Sequence, residues 1–155
     1  MAGRWGWRRW RVLAVGAVLA AGLTGCSAAY EIGPAGTVRD LFLYVRIGAL
    51  ESAWQEFGPA MQASLVAHPA VAPDGRVGIS LHWPSVAAFR ARIRSELRPF
   101  LRGARVQASV TGATATAVAV TAPPAQARAY FALVRVDNEW VIQRVIVVGV
   151  ADETR

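Results

Sequence analysis

The chain has 155 residues, with 17 basic and 10 acidic side chains and a formal net charge of +7. This length suits one compact domain around a single core, and a second domain is not expected. With only one cysteine the chain cannot form an internal disulfide, so the domain must depend on its core for stability.

The first 25 residues have the layout of a secretory signal peptide. Arg4, Arg8, Arg9 and Arg11 precede residues 12–23, an uncharged run of valine, leucine, alanine and glycine. Without this leader the chain has 130 residues, and its 13 basic side chains, all arginine, exceed 10 acidic ones by a net charge of +3. The charge of the whole chain therefore gives no reason to expect a nucleic-acid partner.

The leader closes on Leu23-Thr24-Gly25-Cys26, which resembles the lipobox of bacterial lipoproteins. In that family the cysteine is diacylated and becomes the mature N-terminus. The resemblance implies export and stable anchoring by more than one acyl chain on Cys26. Because Ser27 is not aspartate, it also implies transfer to the outer membrane in enteric-type bacteria, whereas a Gram-positive cell would keep the protein on the outer face of its plasma membrane.

Two other N-terminal arrangements stay open. Residues 12–30 are uncharged and about long enough to span a bilayer, so they could be an uncleaved anchor, although small and hydroxyl residues dilute their second half. Arg8-Arg9 fits a twin-arginine export signal, but Arg11 stands where that signal has an apolar residue.

The domain itself is predicted to span residues 37–150. Residues 26–36 contain few large apolar side chains and predict a tether, and the polar residues 151–155 predict a frayed tail. Thr37 suits an N-cap, with Asp40 in the acidic position of a capping box. Apolar residues then recur at helical spacing at Val38, Leu41, Phe42, Val45 and Ala49.

A bend is predicted around Gly48 and Glu51-Ser52, followed by a second helical run to about Ala67. Pro59 lies inside this run, where it must either start a separate helix or kink the first, because proline lacks an N–H. The apolar residues of the run are Ala53, Trp54, Phe57, Met61 and Leu65.

Residues 68–75 are predicted to form a loop with a turn at Pro73-Asp74-Gly75. A short strand with one buried face is predicted next, because apolar and non-apolar side chains alternate. The apolar set is Val77, Ile79 and Leu81, and the alternating set is Gly78, Ser80 and His82.

A further helix is predicted to start at Pro84-Ser85 and to end or kink near Arg98, before Pro99. On one side it carries apolar residues, and on the other it carries arginines spaced four apart. This arginine row is either a basic surface for anionic headgroups, lipopolysaccharide or an acidic partner, or a solvated helix face. The apolar set is Phe89, Ile93, Leu97 and Leu101, and the row is Arg90, Arg94, Arg98 and Arg102.

The last third of the chain is predicted to form four antiparallel strands, because apolar residues alternate over 106–110, 114–121, 130–136 and 140–148. The last two strands are predicted to be a hairpin closed by Asp137-Asn138, since both residues tolerate the positive φ that a tight turn needs. The alternating set of the last strand is Trp140, Ile142, Arg144, Ile146 and Val148.

These elements predict an α+β domain with about three helices packed on one face of a curved antiparallel sheet. Their order resembles the nuclear-transport-factor-2-like, or SnoaL-like, cone fold over residues 37–150. The segment FALVRVDNEWVI, residues 131–142, is similar to that family's penultimate strand, turn, tryptophan and last strand. Since the family mixes isomerases, dehydratases and non-catalytic binding or assembly modules, the resemblance implies a fold more than a function.

In enzymes of that family an Asp, His, Tyr or Arg in the cavity of the cone acts as an acid or base on a hydrophobic substrate. His82 and Asp40 are the candidates here, but neither stands in a recognisable catalytic spacing, so no catalytic residue is assigned. The two histidines lie 14 residues apart, which is not a zinc spacing, and no glycine-rich phosphate loop follows a strand. No metal and no cofactor are expected.

The sequence therefore predicts a lipid-anchored cell-envelope protein, more readily a non-catalytic binding or assembly module for an apolar ligand or partner protein than an enzyme. A small-molecule isomerase or dehydratase of the same fold is the alternative. A ligand pocket between the first helices and the sheet would be lined by apolar and aromatic residues that could equally be core. These are Phe42, Trp54, Phe57, Tyr130 and Trp140.

Overall fold

The computed structural model describes residues 33–62, 68–123 and 126–149. In this part of the chain, helices combine with a six-stranded antiparallel sheet, as expected for an α+β domain. The helices are α1 (Pro34–Ile47), α2 (Leu50–Gln55), α3 (Pro59–Gln62) and α4 (Val86–Glu96). The strands are β1 (His68–Val71), β2 (Val77–Ser80), β3 (Arg105–Thr111), β4 (Thr114–Val120), β5 (Arg128–Val136) and β6 (Glu139–Val148).

Helix α1 begins earlier than the sequence predicts. Pro34 lies in its first turn, where a missing N–H costs nothing, and Gly33 is the N-cap. Thr37 is therefore inside the first turn, and its N–H donates to the Gly33 carbonyl at 3.1 Å. The predicted capping box of Thr37 and Asp40 is wrong, and Pro34 to Gly36 belong to the helix rather than to a tether.

The predicted bend is confirmed at Gly48 but not at Glu51-Ser52, which lie inside α2. Gly48 has a φ of 81°, a left-handed conformation that glycine adopts without strain, and its N–H donates to the Tyr44 carbonyl. The second helical run is interrupted, because α2 ends at Gln55 and Pro59 starts the separate single turn α3.

The chain between α2 and α3 is bound to β6. The Ile142 N–H donates to the Glu56 carbonyl at 2.8 Å, and the Gly58 N–H donates to the Ile142 carbonyl at 2.9 Å. Phe57 forms a parallel bridge with Ile142. These bonds hold the segment between α2 and α3 against β6.

The strands follow the order β1-β2-β6-β5-β4-β3 across the sheet. Residues 68–71, predicted as loop, form the edge strand β1, where Pro69 is tolerated. The turn predicted at residues 73–75 is confirmed, and it joins β1 to β2. The predicted four-strand meander is also confirmed as β3 to β6.

The turn at Asp137-Asn138 has the conformation that the sequence predicts, with φ of 49° and 67°. The strand after it differs from the prediction, because Ala132 pairs with Arg144 while Leu133 pairs with Ile142. The intervening Gln143 forms a β-bulge that exchanges the two faces of β6. One alternating set from Trp140 to Val148 is therefore wrong.

The sheet has a core face and an outer face. The core face of β6 beyond the bulge carries Val145 and Val147, which pack with residues of α1, α2 and α4 in the main hydrophobic core. The outer face carries Tyr130, Ile146 and Val148, which form a smaller cluster with Ala70 and Ala72. The largest fully buried side chains include Trp83, Phe89, Phe100, Phe131, Leu41 and Met61.

Candidate binding surface

Three large aliphatic side chains are exposed together on the β1–β2 hairpin. The exposed fractions are 66 % for Val71, 72 % for Val77 and 58 % for Ile79. Val71 pairs directly with Val77, and Ile79 pairs directly with Val147 of the core face. Since directly paired residues share a face, the three side chains lie on the core face of the sheet, in a part of it that is exposed. We call Val71, Val77 and Ile79 the apolar strip.

The sequence predicts that the apolar set of β2 is buried, and this prediction is wrong for the two members that lie within the strand. Leu81 is buried in the main core, whereas Val77 and Ile79 are exposed. The alternating set is buried instead, at Gly78 and Ser80. A Cβ at Gly78 would lie 2.5 Å from the Val147 carbonyl oxygen, so only glycine lets β2 approach β6 this closely.

A polar cluster fixes the turn of the same hairpin to the outer face. The Tyr130 hydroxyl donates to Asp74 Oδ2 at 2.6 Å, and Arg76 Nε donates to the same oxygen at 2.7 Å. Arg128 Nη1 lies 3.8 Å from it. The hydrogen bond from Tyr130, with the further bonds and charge of Arg76, lowers the pKa of Asp74 to about 2.

The predicted pocket residues are divided between the main core and the outer face of the sheet. The Phe57 ring centroid lies 6.4 Å from that of Trp54, and the Phe42 centroid lies 5.9 Å from that of Phe131. These residues pack within the main core, and the half-buried Trp140 packs against it. Tyr130 lies on the outer face of the sheet.

The aromatic rings of this core are in contact with one another. Phe89 lies 5.0 Å from Trp54, 5.7 Å from Phe57 and 5.2 Å from Trp83, centroid to centroid. Tilted and edge-to-face arrangements of this kind add to the stabilisation that burial provides. Trp54 and Phe57, two of the predicted pocket residues, are therefore in ring contact with Phe89 in the main core.

The two acid–base candidates are far from equivalent. His82 is buried, and its Nε2 lies 3.2 Å from Ser80 Oγ, so the two side chains share a hydrogen bond inside the fold. Because Ser80 is fully buried, its hydroxyl is not presented to a substrate. Asp40 lies on α1, where partial burial raises the pKa of its carboxyl. The two candidates belong to different elements, with Asp40 on α1 and His82 just after β2.

The arginine row lies partly on α4 and partly in the turn that follows it. Arg90 forms an ion pair with Glu51, and Arg94 Nη2 donates to the Val45 carbonyl at 3.3 Å. Since α4 ends at Glu96, Arg98 and Arg102 lie in the turn that follows and are exposed there. The prediction of a helix end near Arg98 is confirmed, and two members of the row bind other parts of the domain.

Within the described residues, no group of three or more His, Cys, Asp or Glu side chains is placed to hold a metal ion. No helix of this same part of the chain is long and apolar enough to cross a membrane. Cys26 and the predicted leader lie outside the described residues, as do the predicted tether up to residue 32, residue 150 and the predicted tail 151–155.

Comparison with known proteins found no matching family model, no matching curated protein and no matching solved structure.

Sequence reasoning missed the apolar strip. Alternation places Val77 and Ile79 on one face, but it does not say how far the helices cover that face. Gly78 was the usable signal, because a glycine inside a strand often marks a close backbone approach and therefore the packed side. Because His68 and Pro69 favour a loop, the edge strand that contains Val71 was not predicted.

Proposed function

We propose that this protein is an exported, lipid-anchored assembly module of the cell envelope that binds a partner protein through the apolar strip. Cys26 would carry the lipid and hold the domain at the membrane. The described domain would present Val71, Val77 and Ile79 to the partner. The observation that carries the proposal is the clustering of these three exposed aliphatic side chains on one face of one hairpin.

The exposure of this cluster favours a role in binding. Single exposed apolar residues are ordinary on protein surfaces, but a contiguous group of them often marks an interaction site. Val71 and Val77 lie side by side, and Ile79 lies one pair further along the same face. The hairpin is also held in place by Gly78 against Val147 and by the hydrogen bond between Tyr130 and Asp74. A rigid apolar surface loses little conformational entropy on binding.

Core packing favours a protein partner over a small apolar ligand. A ligand cavity in a cone fold would lie between the first helices and the sheet, where Phe42, Trp54 and Phe57 are packed against other aromatic rings. The same packing argues against the isomerase or dehydratase alternative. Such an enzyme would need an acid or base that reaches its substrate, and the hydrogen-bonded pair of His82 and Ser80 is buried.

The nuclear-transport-factor-2-like identity of the domain is part of the proposal. It is supported by the order of the elements, with helices, a hairpin, one helix and then a four-strand meander. It is also supported by the tight turn at Asp137-Asn138, which joins the two strands that resemble the family's closing hairpin.

The lipid anchor is tested by the intact mass of the protein extracted from membranes. We expect a mass that corresponds to cleavage before Cys26 plus acyl chains, and loss of that modification in Cys26→Ala. An uncleaved chain without acyl groups would reject the anchor and make residues 12–30 the membrane segment to examine.

The binding surface is tested by a photo-crosslinking amino acid placed at position 77 in the full chain and activated in intact cells. The control carries the same amino acid at Ile47, which is 63 % exposed but lies on α1. We expect one defined protein adduct at position 77, absent at position 47 and lost when Ile79→Asn is added. The same adducts at both positions, or none at 77, would reject the strip as the binding surface.

A further inference from the structure

Strand β3 leaves one edge of the sheet open within the described residues. It pairs with β4 in a regular register from Arg105 to Thr111, without a bulge. The order of strands puts β3 at one edge and β1 at the other. Residues 107–111 are exposed on both faces, and Val110 is 53 % exposed.

The hydrogen bonds of β4 show which backbone groups of β3 point outward. The Arg135 N–H donates to the Ala113 carbonyl, and the Thr121 N–H donates to the Ala127 carbonyl, so odd-numbered residues of this strand bond to the β5 side. Even-numbered residues therefore bond to β3, since the two sides alternate in an antiparallel ladder. Their partners on β3 are the odd-numbered residues 105 to 111. The N–H and C=O groups of Val106, Ala108 and Val110 consequently point away from the sheet.

One of these outward groups is already bonded. Arg39 Nη2 donates to the Val106 carbonyl at 3.3 Å, which agrees with the outward direction derived from the ladder. Ala108 and Val110 retain outward groups that are bonded to no other described residue. A strand that offers both an N–H and a C=O at two alternate positions is ready to accept another strand.

The edge also lacks the features that usually prevent such pairing. Between Val106 and Thr111 there is no charged residue, no proline and no bulge. The opposite edge is different, because β1 has only four residues and contains Pro69. The two edges of the sheet are thus unequal, and β3 is the one able to pair.

We propose that β3 pairs antiparallel with β3 of a second copy of this chain, centred on Ser109. This register bonds Ala108 of each copy to Val110 of the other and leaves the bond between Arg39 and Val106 in place. A register centred on Ala108 would need the Val106 carbonyl and would displace Arg39.

Self-pairing in this register matches like with like. On the outer face Ser109 meets its own copy and Gln107 meets Thr111, so polar side chains lie opposite polar ones. On the core face Ala108 meets Val110. No charged residue opposes another, because Arg105 lies beyond the end of the paired segment, and a chain with a net charge of +3 after loss of its leader can thus meet its copy without local repulsion.

The dimer and the apolar strip occupy opposite edges of the sheet. A dimer through β3 would therefore present two copies of the strip, one at each end of a continuous sheet. The proposal does not depend on the lipid anchor or on the partner protein, and it can be tested separately from both.

The test is disulfide crosslinking of the full chain in intact cells, with Cys26→Ala so that the introduced cysteines are the only thiols of the chain. Paired Ser109→Cys residues would have Cα atoms about 4.5 Å apart, within the range for a disulfide. The matched control is Gln107→Cys, whose own copy would lie about 13 Å away, four residues along the strand. We expect a homodimer from Ser109→Cys, none from Gln107→Cys, and a homodimer again from the double variant Gln107→Cys with Thr111→Cys.

Sedimentation of the detergent-solubilised wild-type chain provides the second readout. We expect a dimer that dissociates on dilution and is lost in Val110→Lys, which places a charge on the neutral edge, while the circular dichroism spectrum stays unchanged. A monomer at every concentration, equal crosslinking at positions 107 and 109, or an adduct of Ser109→Cys with a different protein in place of the homodimer would overturn the proposal.

Discussion

The hydroxyl of Tyr130 and the carboxylate of Asp74 lie 56 residues apart in sequence but are joined by a 2.6 Å hydrogen bond. Tyr130 belongs to β5, and Asp74 lies in the turn between β1 and β2, so the bond crosses the outer face of the sheet above β6. It holds the tip of the hairpin on the side opposite the apolar strip. The direction in which Val71 and Val77 point thus depends on a contact on the other face.

We expect Tyr130→Phe to reduce the acid dependence of stability. The pKa of Asp74 falls from 3.8 to about 2 on folding, so its contribution is fully present above about pH 3.8 and is lost as the pH falls towards 2. Removing the Tyr130 hydroxyl removes the largest cause of that shift. Urea unfolding between pH 2 and pH 5 measures the difference, and Asp74→Asn should abolish the same component. An unchanged acid slope in Tyr130→Phe would show that the hydrogen bond has no such role.

Asp40→Asn is expected to change the pH dependence in the opposite direction. Burial raises the pKa of Asp40, so the folded protein retains this proton more readily than the unfolded chain. The contribution of Asp40 is therefore most favourable below pH 3.8 and is lost as the pH rises through the raised pKa. We expect the variant to be more stable at pH 7, by up to about 0.5 kcal/mol for this partly exposed position. A urea titration at pH 3 and pH 7 measures this, and lower stability at pH 7 would contradict it.

Gly78→Ala is expected to destabilise the hairpin. The added Cβ would lie 2.5 Å from the Val147 carbonyl oxygen and 2.7 Å from Val148 Cγ2, and the carbonyl cannot move without disturbing the backbone of β6. Overpacking of this kind costs roughly 1–3 kcal/mol. Hydrogen exchange of the β2 amides and urea unfolding measure the effect, with the exposed Ile47→Ala on α1 as control. Wild-type stability and exchange in Gly78→Ala would mean that β2 and β6 can separate freely.

Much of the fold follows from local chemistry in the sequence. The turn at Asp137-Asn138 was predictable because few residues accept two consecutive positive φ values, and the structure has them there. Ser85 was predictable as a helix start, and its Oγ accepts a hydrogen bond from the Ala88 N–H at 3.1 Å. Such features depend on a few adjacent residues, so tertiary packing seldom overrides them.

The errors arise where distant residues decide the outcome. The bulge at Gln143 exchanges the faces of β6, and the alternation of apolar residues in that strand does not predict it. Val77 and Ile79 are exposed although they lie on the core face, and how far the helices cover that face is a property of the assembled domain. The sequence therefore does not predict the apolar strip, whereas it does predict the core around Phe89.

Phe57→Ala decides whether the predicted pocket is a core. Phe57 is buried, and its ring lies 5.1 Å from Trp83 and 5.7 Å from Phe89, so truncation would leave a cavity among aromatic rings. We expect the free energy of unfolding to fall by about 3–5 kcal/mol, a large part of the total for a domain of this size. Urea unfolding monitored by circular dichroism measures the loss, and Ile47→Ala at an exposed position should stay within about 0.5 kcal/mol of wild type. Near-normal stability of Phe57→Ala, together with loss of a bound apolar ligand, would instead make Phe57 part of a cavity wall and favour a small-molecule ligand over the protein partner proposed for the apolar strip.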